Sequence, residues 1–162
     1  MISIAMATER EISQIYNIEK EAFSPPWTHN ALLNELSKDD SYFIIAKENT
    51  TKLSSIVEPS PACRAQHTIL GFALMRQVGD DGELLKIATD KTARRKGVGD
   101  LLMTAVLDKA KSNSFPSVFL EVRSGNTAAI RLYKKHSFKE VRIRKNYYTN
   151  PIEDAVIMAK PI

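Results

Sequence analysis

The stretch Arg94-Arg95-Lys96-Gly97-Val98-Gly99-Asp100 follows the apolar run 84–88 and leads into the helical period that begins at Leu101. Residue types in this order suit an anion. A helix start offers unpaired N–H groups and a partial positive charge, and glycines let an anion approach the backbone closely. Three consecutive cations at a helix N-terminus oppose its dipole unless an anion sits there, and a cofactor phosphate or pyrophosphate is the fitting one. A G-x-G is equally ordinary turn chemistry. Two better-known phosphate loops do not fit: no G-x-x-x-x-G-K-[ST] occurs, and Leu102 stands where G-x-G-x-x-G needs its third glycine. Neither a mononucleotide kinase nor a nicotinamide enzyme is expected.

Two further side chains carry chemistry. Along 117–123 side chains alternate faces, so Phe119, Glu121 and Arg123 share one side and Val118, Leu120 and Val122 the other. Glu121 is thus a carboxylate in an otherwise central strand and must face a cavity, a partner or solvent. On pattern alone, a salt bridge to Arg123 or to a neighbouring strand accounts for it as well as a functional role does. Tyr133 shares a helix face with Asn126 and Ile130, opposite Arg131, Lys134 and Lys135. That face turns to the sheet, leaving a packed phenol whose hydroxyl needs a partner, in the core or in a site.

The elements that position these groups follow from periodicity. A strand is expected over 2–7, then a helix over 9–22 begun by a Thr8/Glu11 capping box and broken by Ser24-Pro25-Pro26-Trp27. Thr28 caps a short second helix with Leu32, Leu33 and Leu36 inward. Strands are expected over 41–46, 69–77 and 82–89, the last two joined by a turn at 79–82; between the first two, residues 48–68 read as a mobile insertion. A helix over 99–112, a strand over 117–123, a helix over 127–135 and strands over 139–144 and 155–158 complete a mixed α/β domain on one sheet.

Composition narrows the class. A chain of 162 residues, 43% hydrophobic, supports one domain with a proper core and not two. A net charge of +4 suits an anionic cofactor without requiring nucleic acid, and the basic run 142–145 reads as a solvated strand edge. Cys63 is the only cysteine, which excludes an internal disulfide and fits a reducing compartment. His29, His67 and His136 match no zinc spacing, so no metal is expected. The N-terminus lacks a secretory pattern and the longest apolar run, 42–46, is too short to cross a bilayer, so a cytoplasmic protein with no membrane partner is expected.

Taken together, Leu84-Leu85-Lys86-Ile87-Ala88-Thr89, Arg94-x-x-Gly97-x-Gly99 and Leu120-Glu121-Val122-Arg123-Ser124-x-Asn126-x-x-Ala129-Ile130-x-Leu132-Tyr133 closely resemble the GCN5-related N-acetyltransferase (GNAT) superfamily. Within it the likeness is to the RimI type, which acetylates the N-terminal alanine of a small-subunit ribosomal protein; Arg144-Lys145-Asn146-Tyr147-Tyr148 and Glu153-Asp154-Ala155 match that subgroup. The resemblance covers most of 83–160, with a weaker echo in 23–27. It implies one GNAT domain over 1–162, a mostly antiparallel central sheet flanked by helices, and acetyl-CoA as co-substrate. It further implies that Ile87, Ala88 and Thr89 present backbone to the pantetheine, that Arg95, Lys96, Gly97, Val98, Gly99 and Asp100 wrap the pyrophosphate, and that Asn126 lies near the thiol arm. Glu121 would be the proton acceptor and Tyr133 the proton donor, while Arg94 supports the loop.

These roles are chemically coherent. An α-amino group of pKa near 8 must lose a proton before it attacks a thioester, and a lysine amine near 10.4 needs about two units more help. Glu121 can take that proton and Tyr133 can protonate the departing thiolate. Tyr147 and Tyr148, expected in a hairpin loop, suit contact with a peptide backbone, with Trp27 as an opposite wall. Ser137 stands where the family usually has glycine, a departure costing roughly 1 kcal/mol at a left-handed helix end. The expected partner is the N-terminal segment of a ribosomal protein, without direct nucleic-acid binding. The same chemistry on a small-molecule amine or on other protein N-termini is the nearest alternative; a non-catalytic CoA-sensing or RNA-associated module is a more distant one.

Overall fold

The computed structural model describes residues 1–49 and 67–162. Strand β1 (Ile2–Met6) ends at the predicted capping box: Thr8 Oγ1 accepts from Arg10 N, and Glu11 Oε2 accepts from Thr8 N at 2.8 Å. One 3-10 turn over Glu9–Glu11 then leads into helix α1 (Ile12–Ala22). The two prolines stop it, and Thr28 Oγ1 accepts from Ala31 N at 3.1 Å to start α2 (His29–Leu36). Strands β2 (Ser41–Asn49), β3 (His67–Val78) and β4 (Asp81–Thr89) follow, then α3 (Val98–Ser112), β5 (Ser117–Arg123), α4 (Thr127–Lys135), β6 (Lys139–Thr149) and β7 (Ile152–Pro161).

Among the described residues the strands form one seven-stranded sheet in the order β1-β2-β3-β4-β5-β7-β6, parallel only between β4 and β5. Two expected boundaries are corrected. The pairs Glu48↔Thr68 and Asn49↔His67 belong to the β2/β3 ladder, because hairpin pairing carries both strands past their apolar parts. The expected 48–68 insertion therefore loses its ends to the sheet, and its remainder, 50–66, lies outside the described residues. Strand β6 likewise runs on to Thr149, so Tyr147 and Tyr148 are strand residues rather than loop residues.

Alternation divides the apolar residues between two cores. On one face Phe43, Ile45, Phe72 and Leu74 pack under Ile12, Ile15 and Ile18 of α1 and Leu32 of α2. On the other, Ile44, Ala46, Ala73 and Met75 pack under Leu102, Met103 and Val106 of α3, a core that continues through Leu120 and Val122 to Tyr133 of α4.

Two irregularities in β4 make room for a site. Leu74 pairs with Lys86 and Met75 with Leu84, so Leu85 is an extra residue: a β-bulge. Leu84 therefore packs with the α3-side core, whereas Leu85 and Lys86 both lie on the α1 side. In addition, β4 and β5 pair only through Gly82↔Val118, Glu83↔Phe119 and Leu84↔Leu120. Beyond that point no ladder joins them, and a wedge opens in mid-sheet between 85–89 and 121–123.

Candidate active site

One half of the wedge is a cleft of about 580 Å³ at the start of α3. Ile87, Ala88 and Thr89 line it from β4, Arg94, Arg95, Gly97, Val98, Gly99 and Asp100 from the loop and first helical turn, and Ala128, Ala129 and Leu132 from α4. The N-cap of α3 is Gly97 at φ +78, which supplies no side-chain cap, so the helix start keeps its donors for a ligand. A Cβ at Gly99 would lie 3.3 Å from Leu132 Cδ2, so this glycine keeps the cleft wall clear of α4. Arg95 holds the left-handed region at φ +62 without being glycine, strain of the kind found at ligand sites. Asp100 is tied to α4 by Lys135 Nζ at 2.8 Å and His136 Nε2 at 3.0 Å, and those contacts, Lys135 first, hold its carboxyl below the usual range.

The other half is a cavity of about 430 Å³ that shares Ala22, Phe23 and Ile87 with the first. Glu121 and Tyr133, from different elements, both line it. Tyr133 is fixed by the C-terminus of α4: Phe138 N bonds to Tyr133 O at 3.0 Å and Ser137 N to Lys134 O at 2.9 Å, a Schellman motif closed by the Tyr133–Phe138 ring contact. Burial, and then the neighbouring Tyr148, push the Tyr133 phenol well above its ordinary value, so it keeps its proton at neutral pH. No hydrogen bond to its hydroxyl is formed among the described residues.

Glu121 does form a salt bridge, one of the two readings its pattern left open, but with neither Arg123 nor an adjacent strand. Its Oε1 is 2.7 Å from Arg144 Nη1 of β6, two strands away, and the Tyr147 phenol donates to the same carboxylate, which raises that phenol's pKa. Arg123 is held instead by Glu153 Oε2 at 3.0 Å and lies 4.0 Å over the Tyr148 ring. Tyr147 and Tyr148 meet edge to face at 5.2 Å and both line the cavity.

Three sequence-assigned residues stand apart. Trp27 lines a neighbouring groove with Glu35 and Arg76. The wall facing the tyrosines is Phe23, Ser24 and Pro25, because the Trp27 N–H is drawn to Glu19 Oε1 at 2.8 Å. Asn126 caps α4 through Oδ1, accepting from Ala129 N at 3.2 Å, and is not among the residues lining either cleft. Lys96 is exposed on the loop beside the residues that line the cleft.

Sequence reasoning missed the pair that supports the wall. Lys86 Nζ is 2.6 Å from Glu19 Oε1, with the two side chains 8% and 0% exposed, and stands 3.9 Å over the Phe23 ring and 4.7 Å from the Trp27 ring. Burial pulls the Lys86 ammonium below its ordinary pKa, and Glu19 opposes that shift. The signal was present as a lone cation inside the apolar run 84–88. Glu83, next to the site on β4, has its carboxyl pushed up by burial and by the charge of Glu121.

Among the described residues, no group of three or more His, Cys, Asp or Glu side chains converges as metal ligands, and no helix is long and apolar enough to cross a membrane.

The chain is 30% identical to the bS18-alanine N-acetyltransferase of Escherichia coli K12, over 100% of this chain and 99% of the relative. It is 32% identical to the same-named protein of Haemophilus influenzae, over 92% and 91%. The crystal structure of the Escherichia coli ribosomal-protein-S18-alanine N-acetyltransferase superposes with a TM-score of 0.79 at 29% identity, covering 100% of this chain and 94% of that one. The fold is also that of Ard1 from Thermoplasma volcanium, with a TM-score of 0.81 at 24% identity over 99% and 97%. Residues 12–138 match the model of the acetyltransferase (GNAT) family, and with the full-length likeness and the split-sheet fold this places the chain in that family: it is a GNAT acetyltransferase.

Proposed function

We propose that the chain moves the acetyl group of acetyl-CoA to the N-terminal α-amino group of a protein, the N-terminal alanine of a small-subunit ribosomal protein in the first instance, acting in the cytoplasm as one domain over 1–162 and without a metal. The observation that carries this reading is the shared cavity of Glu121 and Tyr133, contiguous through Ala22, Phe23 and Ile87 with the cleft at the start of α3. The names of the full-length relatives support the acceptor.

In this reading the α3 N-terminus with Arg95, Gly97, Val98, Gly99 and Asp100 receives the pyrophosphate, and Lys96 adds charge beside it. The unpaired edge of Ile87, Ala88 and Thr89 takes the pantetheine amides as a strand would. Asn126 has its oxygen engaged, so its amide N–H groups are what it offers the thiol arm. Glu121 takes the proton of the α-ammonium, the amine attacks the thioester carbon, and Tyr133 gives the departing thiolate its proton. Tyr147 and Tyr148 contact the peptide backbone, and Phe23, Ser24 and Pro25 supply the wall first assigned to Trp27.

An acceptor panel of peptides that differ in their first residue, incubated with acetyl-CoA and read by mass spectrometry, tests the proposal. The ribosomal peptide beginning with alanine gains one acetyl group, and Glu121→Gln lowers its turnover by about 10²–10⁴. Acetylation of no N-terminal peptide, with turnover of a small amine instead, overturns it.

A further inference from the structure

One cation that contacts the cavity's carboxylate without itself lining the cavity has no part in the chemistry above. Arg144 reaches across β7 to Glu121, its Nη1 2.7 Å from Oε1, and the Tyr147 phenol donates to the same carboxylate. Both side chains are partly exposed, and an ion pair of this kind contributes little net stability, so little is lost when it opens. With Arg144 in place, the guanidinium stands where a water or an ammonium must come to reach Oε1.

The cation is the partner built to move. Arg144 has 42% of its side chain exposed against 24% for Glu121, and it lies at the edge of the sheet. Just beyond it the β6/β7 register shifts between Arg144 and Tyr148, with Asn146 at φ +52, so the strand is irregular where the arginine leaves it. The two cations that line the cavity are committed. Arg123 is held by Glu153 at 3.0 Å and by the carbonyls of Asn150 at 3.3 Å and Pro151 at 3.4 Å, and Lys86 by Glu19 at 2.6 Å.

We propose that Arg144 is a displaceable lock on Glu121. It keeps the base from activating water while acetyl-CoA waits without an acceptor, and it yields its place to the acceptor's α-ammonium, one cation exchanged for another. The inference rests on the reading of Glu121 as the base. The reaction suppressed is hydrolysis: the water oxygen bonds to the acetyl carbon as the C–S bond breaks. One water proton passes to Glu121 and on to solvent, and the thiolate takes up another, giving acetate and the CoA thiol.

The test is CoA thiol release from acetyl-CoA with no acceptor present, alongside acetylation of the alanine peptide. Arg144→Gln raises acceptor-free release by about tenfold or more, within the 10²–10⁴ that a positioned base supplies, and Glu121→Gln added to it abolishes the gain. Arg144→Lys, which keeps the charge, restores most of the suppression. Release unchanged or lowered by Arg144→Gln overturns the lock whatever happens to peptide turnover, as does equal release in the Lys and Gln variants or a gain that survives Glu121→Gln. Undiminished peptide acetylation by the Glu121→Gln single variant sinks the base assignment itself, a distinct result.

Discussion

The two halves of the wedge are built from different materials. The donor cleft is lined largely by main chain and small residues: a bare helix start, two glycines, and Ala88, Ala128 and Ala129. The acceptor cavity is made of long side chains held by one another, Glu121 with Arg144 and Tyr147, Arg123 with Glu153 and Tyr148, and Lys86 with Glu19 under Phe23. A backbone-built site accepts any ligand that carries the right anion and amides, which suits one cofactor common to many reactions. A side-chain-built site changes with each substitution, which suits specificity.

The largest expected effect falls where the halves join. Phe23 lines both clefts, and the buried Lys86–Glu19 pair holds it from beneath. Lys86→Met leaves the Glu19 carboxylate buried without its cation and lowers stability by about 3–5 kcal/mol, read by urea unfolding. The double variant Lys86→Met/Glu19→Leu regains most of that loss, since replacing a buried pair by packed apolar groups is close to neutral. In the double variant KM rises for acetyl-CoA and peptide together. A rise for the peptide alone would show the two halves to be separable and the shared wall to be incidental.

A smaller effect tests whether the charged side chains of the groove beside the acceptor cavity make stability titrate. Glu35 of α2 accepts from Arg76, from Lys38 Nζ at 2.6 Å and from Ser41 Oγ at 2.7 Å. Burial pushes its carboxyl up, but these bonds together outweigh burial and leave it below the ordinary 4.5. A depressed carboxyl stabilises the fold above its unfolded pKa, and that contribution is lost as pH falls through the folded value. Glu35→Gln therefore costs about 2 kcal/mol at neutral pH, and the gap to wild type narrows as the pH falls below the ordinary carboxylate range. A gap independent of pH would mean that shape at this position, not charge, supports α2.

The same difference in materials explains what could be read in advance. Strand 117–123 and helix 127–135 appear with the expected bounds, and the Thr8 and Thr28 caps form, because alternation and capping are local. The donor loop was legible for the same reason: glycine spacing and a helix start lie within one run of residues. The acceptor cavity was not. The bulge at Leu85 breaks the period of two, so nothing local says that Lys86 turns toward a residue 67 positions away. Arg144 looked like a solvated edge cation because its partner is two strands off in the sheet. Trp27 lies outside the acceptor cavity, its backbone N–H bound by the buried carboxylate of Glu19, which sequence pattern treats as surface.

The smallest effect compares two of the left-handed positions around the site, one on each half. Gly97, at φ +78 on the donor loop, is glycine as that conformation favours, and a Cβ added there would meet no atom within 4 Å. Ser137, at φ +67 behind Tyr133, is not glycine. The strain of a side chain in this region is then the only term that differs, so Gly97→Ala costs roughly 1 kcal/mol and Ser137→Gly gains about as much. Thermal unfolding of the two single variants and the double measures both, with the double near wild type because the positions share no partner. Gly97→Ala also raises KM for acetyl-CoA about fivefold if the whole strain is relieved by loosening the loop. Ser137→Gly leaves both KM values alone, since the Schellman bonds that fix Tyr133 run through backbone that the change does not touch. Were Ser137→Gly instead to lower turnover with stability raised, the serine would be holding α4 in a strained position that the Tyr133 chemistry needs, and the acceptor half would prove to depend on backbone as much as the donor half does.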